Sequence, residues 1–323
     1  MKNALIYILL FVYIPFFQSC KKLDEPGSLV AKTVDKDNSL PSININGVQL
    51  HSEAFGHPDS TIIIVLHGGP GWDYRNLLNC KSLANHNYRV VFYDQIGSGL
   101  SQRFNEKFYT NKGMGVMDML FNELHGVINH YKTHPNQDVI LLGHSWGGML
   151  ATAFVGKHPN AAKGLIVIEP GGFKWGDVKT YLSNSMEYNL WDERLNDATF
   201  IDQIITAKDN QQEIIDYKMT VFVNLTAPHW RMGASVQYAF RNIGDKHSPN
   251  FSDGIESFTP NVLFIYSEKN KSYTDTWASN ISSVFNSVQL EKIQGVGHSG
   301  IIANENAWSN QTTPIILEYL NSL

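Results

Sequence analysis

Short runs of β-branched and aliphatic residues recur along this chain and alternate with segments of helical spacing. No other feature restricts the possible fold as much. TIIIVLH (61–67), YRVVFYD (88–94), DVILLGH (138–144), LIVIEPGGF (165–173), NVLFIYS (261–267) and VQLEKIQG (288–295) read as strands. Between them, YRNLLNCKSLAN, GVMDMLFNELHGVINHYKTH and GGMLATAFVGKH carry helical patterns, and further helices are expected near 275–286 and through 304–321. Near-continuous apolar strands separated by helices imply an α/β fold: a mostly parallel sheet with helices on both faces. Ahead of it, SININGVQLHSEAF alternates around an Asn-Gly pair and predicts a hairpin.

Residues from about 173 to 258 break this rhythm. They are rich in aromatics, Trp175, Tyr181, Tyr188, Trp191, Tyr217, Phe222, Trp230 and Tyr238 among them, and read as a helical lid inserted over the sheet. At 323 residues and 43% hydrophobic, the chain has ample material for a large core. The expected organisation is a signal over 1–19, a polar tether over 20–40, a first core segment over 41–172, the lid over 173–258 and a second core segment over 259–323.

The signal assignment follows from length and flanks. Lys2 precedes ALIYILLFVYIPFF, about 14 apolar residues, too few to cross a hydrocarbon core of about 30 Å but suited to a secretory signal. FQSC resembles a bacterial lipobox, which implies that Cys20 becomes the lipidated first residue of an exported protein anchored in the bacterial cell envelope. Cys80 is then left without a disulfide partner, and stability must come from the core. With a net charge of −5 and no basic cluster, the chain shows neither a nucleic-acid footprint nor a polybasic lipid patch, so membrane contact is expected through the anchor only.

LLGHSWGG puts Ser145 between an apolar strand and a helix in the pattern Gly143-His144-Ser145-Trp146-Gly147. Small residues two before and two after a serine at such a junction permit the sharp turn of a nucleophile elbow. A serine hydroxyl needs a base to take its proton and donors for the oxyanion formed on attack. LHGGPG (66–71) follows a strand and offers the Gly69 amide as one donor, and the Trp146 amide is the second. IQGVGHSG sets His298 in a glycine-flanked loop after the last strand, the position for a base. His130 and His134 lie four apart but lack an H-E-x-x-H context, and neither a metal nor an organic cofactor is implied.

HGGPG (67–71), DQIGSGLS (94–101), GHSWGG (143–148) and GVGHS (295–299) together resemble the prolyl iminopeptidase branch of the α/β-hydrolases. The resemblance runs from about residue 45 to the C-terminus, strongest before 172 and weak in the lid. It implies the α/β-hydrolase fold and a serine hydrolase releasing N-terminal proline or another small residue from peptides, with Ser145 as nucleophile and His298 as base. It also implies that Asp94 and Gln95 brace the site without taking part in the chemistry.

One element departs from the pattern. The family usually carries its triad acid in a Gly-x-x-Asp turn after the strand before the histidine, and that position here, in IYSEKNKSY, is Asn270. Some α/β-hydrolases place the acid one strand earlier, where this chain has Glu169; Glu268 is the alternative acid, and Asp275 or an arrangement through Asn270 remain open. A free N-terminus would call for lid carboxylates, for which Glu187, Asp192 and Glu193 are available. A carboxylesterase or lipase would use the same triad with an apolar acyl pocket, and a catalytically silent surface-binding lipoprotein is the third reading. Ser145 in place of an aspartate argues against dehalogenase or epoxide hydrolase chemistry.

Overall fold

A computed structural model describes residues 29–187, 210–224 and 227–323. Cys20 and the signal lie outside the described residues, as do Tyr188, Trp191, Asp192, Glu193 and the side chain of Glu187. Strands β1 (Ser42–Ile45) and β2 (Val48–Phe55) form the hairpin, turned by Asn46 at φ 53° and Gly47 at φ 82°. Both lie in the left-handed region that a two-residue type I′ turn demands, which is why Asn-Gly stands there.

Strands β3 (Ile62–Leu66), β4 (Arg89–Tyr93), β5 (Val139–His144), β6 (Gly164–Ile168), β7 (Val262–Ser267) and β8 (Val288–Ile293) complete an eight-stranded sheet of order β1-β2-β4-β3-β5-β6-β7-β8. The hairpin joins antiparallel through β2 and β4, and all pairs from β4 to β8 are parallel.

Strand period sorts the core into two layers. Ile62, Ile64 and Leu66 face one side, where Leu120, Leu124 and Val127 of α2 (Gly115–Tyr131) and Leu150 and Phe154 of α3 (Trp146–Lys157) join the same buried cluster. A short helix α1 (Glu106–Thr110) precedes α2. Ile63 and Val65 face the other side, with Leu77 and Leu83 from Tyr74–His86 and Ile316 and Tyr319 near the C-terminus. Each such side chain withdrawn from water contributes about 1.5–3 kcal/mol. Tyr74–His86 winds as a 3₁₀ helix.

Between β6 and β7 the described residues form α4 (Trp175–Glu187), α5 (Gln211–Asn224) and α6 (Ala234–His247). After β7 come α7 (Asp275–Ser282), α8 (Gly300–Ala303), a π turn over Trp308–Thr312 and α9 (Thr313–Asn321). Among the described residues no helix is long and apolar enough to cross a membrane.

Two buried carboxylates tie the inserted helices down. Asp216 on α5 accepts from Arg231 Nε at 2.9 Å, Arg103 Nε at 3.3 Å and the Ala234 amide at 2.9 Å. Asp73 accepts from the Arg75 amide at 3.0 Å at the start of the 3₁₀ helix, and from the Trp230 and Arg231 amides at 2.7 and 3.0 Å. Asp216→Ala would leave two largely buried guanidinium groups without their anion, so urea unfolding should show a loss of about 3–5 kcal/mol. A loss below about 1 kcal/mol would show that this pairing does not hold the insertion.

Candidate active site

The parallel register determines what meets at the carboxyl ends of the strands. His144 pairs with Ile168 and Ile168 with Ile265, so Ser145 and Glu169 leave their strands level with each other. The Ser145 amide donates to the Ile168 carbonyl at 2.8 Å and the Glu169 amide to the Ile265 carbonyl at 2.9 Å. Ser145 sits at φ 56°, ψ −122°, between β5 and α3. A non-glycine residue there costs of order 1–3 kcal/mol and persists only where its surroundings enforce it. A Cβ on Gly143 would overlap the Gly147 backbone, and one on Gly147 would overlap the Leu66 carbonyl. Glycine at both positions is therefore a steric requirement of the turn.

Glu169, at φ 41°, is fully buried and its two oxygens accept four hydrogen bonds. Oε1 takes the Ser267 amide at 2.6 Å and the Ser267 hydroxyl at 2.5 Å; Oε2 takes Asn270 Nδ2 at 2.9 Å and His298 Nδ1 at 2.6 Å. Asn270 thus occupies the usual acid position as a donor, and its Nδ2 also donates to the Tyr181 hydroxyl of α4 at 3.1 Å. With Nδ1 committed to the carboxylate, Nε2 is the ring nitrogen of His298 left to handle a proton.

The other acids considered are elsewhere. Glu268 Oε2 accepts from the Gly295 amide at 2.8 Å, a brace within the loop leading to His298 and not a contact to its ring. Asp275 is exposed and pairs with Lys292 Nζ at 2.7 Å and the Tyr266 hydroxyl at 3.1 Å. Ser145 Oγ forms no hydrogen bond to His298 among the described residues; such contacts are commonly loose before substrate binds and tighten in the complex.

The loops on the other side of Ser145 present donors. Gly69 and Trp146 line the same cavity as Ser145, and neither amide donates to a described residue. Gln95 holds both loops: its Nε2 donates to the His67 carbonyl at 3.1 Å, and its Oε1 accepts from Trp146 Nε1 at 2.9 Å. Behind it Asp94 accepts from the Tyr74 and Leu100 amides at 3.0 and 2.8 Å and contacts His51 Nδ1 at 2.8 Å. Glu123 takes the Ile96 amide at 2.9 Å, and burial pushes its carboxyl up to about 8.

The cavity beside Ser145 has a volume of about 510 Å³. Its lining is mainly apolar, with Trp146, Met149, Trp175, Val178, Phe240 and Phe251 among the contributors. No carboxylate lines it among the described residues.

The fold is that of the α/β-hydrolases. A family model described as serine aminopeptidase, S33, matches residues 57–204. A proline iminopeptidase of Saccharolobus solfataricus is 34% identical over 107 residues, covering 32% of each chain. Epoxide hydrolase B of Mycobacterium tuberculosis is 30% identical over 128 residues, covering 39% of this chain and 34% of the relative. The chain therefore spans about a third of the length of these relatives. A solved proline iminopeptidase of Mycobacterium smegmatis superposes with a TM-score of 0.58 at 17% identity, covering 88% of this chain and 99% of that one.

Three participants escaped the sequence reading. Ser267 is the residue just before Glu268 at the end of β7, and nothing local marks it as a donor. Tyr181 reads as one lid aromatic among many. His144 is buried, donates from Nε2 to the His298 carbonyl at 3.0 Å, and lies with its ring centroid 4.5 Å from that of His298. Burial and then the His298 charge hold its pKa well below the ordinary value, so it serves as a neutral strut. Its place inside the elbow motif was the available signal.

Asn270→Asp would replace a donor with a second carboxylate oxygen beside Glu169. At acid pH one proton can be shared across the pair, whereas at alkaline pH both are pressed to ionise. Stability should fall by about 1–3 kcal/mol at pH 8 and by much less at pH 5, read from urea midpoints. Equal losses at both pH values would contradict the donor role of Asn270.

Proposed function

We propose that this protein is a serine hydrolase that forms an acyl-enzyme on Ser145. In this mechanism the Ser145 hydroxyl attacks a carbonyl carbon while His298 Nε2 takes its proton, and the Glu169 carboxylate balances the imidazolium. The Gly69 and Trp146 amides hold the oxyanion, an effect worth about 10²–10³ in turnover per donor. His298 then protonates the leaving group, and water repeats the sequence to release the acid. The observation that carries this reading is the 2.6 Å contact between His298 Nδ1 and a buried, fully bonded carboxylate, on the strand ends where Ser145 stands. That constellation also speaks against a silent surface-binding fold.

For the substrate, the cavity supports a carboxylic ester with an apolar acyl group. A free N-terminal ammonium would call for a carboxylate at the cavity, and the candidates Asp192, Glu193 and the side chain of Glu187 lie outside the described residues. The second reading, an aminopeptidase of proline iminopeptidase type, is supported by the serine aminopeptidase family model and the Saccharolobus relative. The proposal also includes export and a lipid anchor on Cys20, supported by the lipobox-like FQSC.

A panel of short acyl p-nitrophenyl esters and aminoacyl arylamides separates the two substrates. Ester turnover should dominate, and arylamide cleavage without ester cleavage would reverse the order. On the better substrate, Glu169→Gln should lose roughly three to four decades of turnover while remaining folded, and Glu268→Gln only a few-fold. The opposite ranking would remove Glu169 from the mechanism, and failure of a fluorophosphonate probe to label Ser145 in folded protein would remove the mechanism itself.

The anchor is tested in cells. The full chain should partition into detergent with the envelope fraction, and Cys20→Ala should not; a wild-type protein recovered in the aqueous phase would dispose of the anchor.

A further inference from the structure

The four large hydrophobic side chains most exposed among the described residues are Met114, Leu182, Phe222 and Tyr238, at 37, 46, 47 and 52% exposure. All four line the cavity that holds Ser145. They come from three helices and the loop ahead of α2, and converge on the mouth of the cavity.

One charge stands among them. Arg241 is the sole charged residue lining the cavity among the described residues. It lies on α6, one turn beyond Tyr238, and is exposed. It follows Phe240, whose ring packs 5.2 Å from that of Trp146, so the wall beside Ser145 and the arginine are adjacent in the same helix. The carboxylates of Asp245 and Glu106 each accept one hydrogen bond, from Trp175 Nε1 at 2.9 Å and Asn242 Nδ2 at 3.0 Å, and neither forms an ion pair with Arg241. Arg241 itself forms no hydrogen bond or ion pair with a described residue.

We propose that Arg241 is a specificity-determining residue and that the preferred substrate is an anionic amphiphile: an apolar acyl chain runs from Ser145 through the cavity, and a carboxylate at its far end is received by Arg241 at the mouth. This rests on the hydrolase reading above and adds the substrate's charge and its position. A guanidinium offers paired donors that match a carboxylate's geometry, and apolar surroundings strengthen the attraction relative to open water. The same charge repels a distal ammonium.

The test compares p-nitrophenyl esters of monocarboxylic acids of about six to ten carbons with the matching half-esters of dicarboxylic acids, which add only the terminal carboxylate. Wild-type kcat/KM should favour the half-ester by roughly three- to tenfold, mainly through KM, and the preference should shrink as salt is raised. Arg241→Gln should abolish the preference, Arg241→Glu reverse it, and Arg241→Lys retain part of it. A preference unchanged in Arg241→Gln, or a wild type that disfavours the half-ester, overturns the assignment. Equilibrium binding of the same esters to Ser145→Ala reads the preference without turnover. Retained binding preference with no hydrolysis by the wild type would overturn the hydrolase reading alone, and absent binding preference would overturn this one.

Discussion

A single buried carboxylate organises the strand ends. Removing an ionised carboxylate from water costs several kcal/mol unless its lone pairs are met, and unpaired it would take up a proton instead. Glu169 has about four acceptor directions, and Ser267 fills two, Asn270 one and His298 one. Three of these donors are neutral and come from the end of β7 and the loop after it, and the fourth is the imidazole of His298. The ring of His298 is thereby held by Nδ1, which determines which nitrogen faces outward.

This arrangement needs the sheet to be parallel and in register. Active groups in open α/β sheets gather beyond the carboxyl ends of the strands because each strand there delivers a loop to the same rim. Here β3 delivers Gly69, β5 Ser145, β6 Glu169, β7 Asn270 and β8 His298. A slip of one residue between β5 and β6 would turn the side chain of Glu169 to the opposite face. The wholly buried pattern of β3, β5, β6 and β7 opposes such a slip, since every position already meets a packed layer.

The features legible in the sequence were those carried by local chemistry. The Asn-Gly hairpin follows from left-handed dihedrals, and the elbow glycines follow from steric overlap at Gly143 and Gly147. Glu169 was legible as a carboxylate at the end of an apolar strand and was preferred on that ground, but the contacts that separate it from Glu268 were not legible. That choice depends on which way the loop after β7 folds back, and the bond from the Gly295 amide draws Glu268 aside. Asn270 looked like a defect because a single position was compared with the family pattern. In three dimensions its Nδ2 donates to the carboxylate that stands one strand earlier, where a second carboxylate would repel. His144 and Tyr181 act through contacts distant in sequence, which no spacing rule reports.

The inserted helices are part of the acid's surroundings as well as a cover. Tyr181 of α4 lines the cavity and accepts a hydrogen bond from Asn270 Nδ2, the same nitrogen that donates to Glu169. One amide group therefore joins the wall of the cavity to the anion behind His298. Burial, and next the nearby Glu169 charge, push the Tyr181 hydroxyl well above its ordinary pKa, keeping it a neutral partner in that chain. A chain of neutral donors linking two packed surfaces has few alternative arrangements, because displacing any member leaves a buried polar atom unmet. Packing of α4 against the cavity and orientation of the imidazole are thus joined through one hydrogen-bonded chain, from Tyr181 through Asn270 and Glu169 to His298.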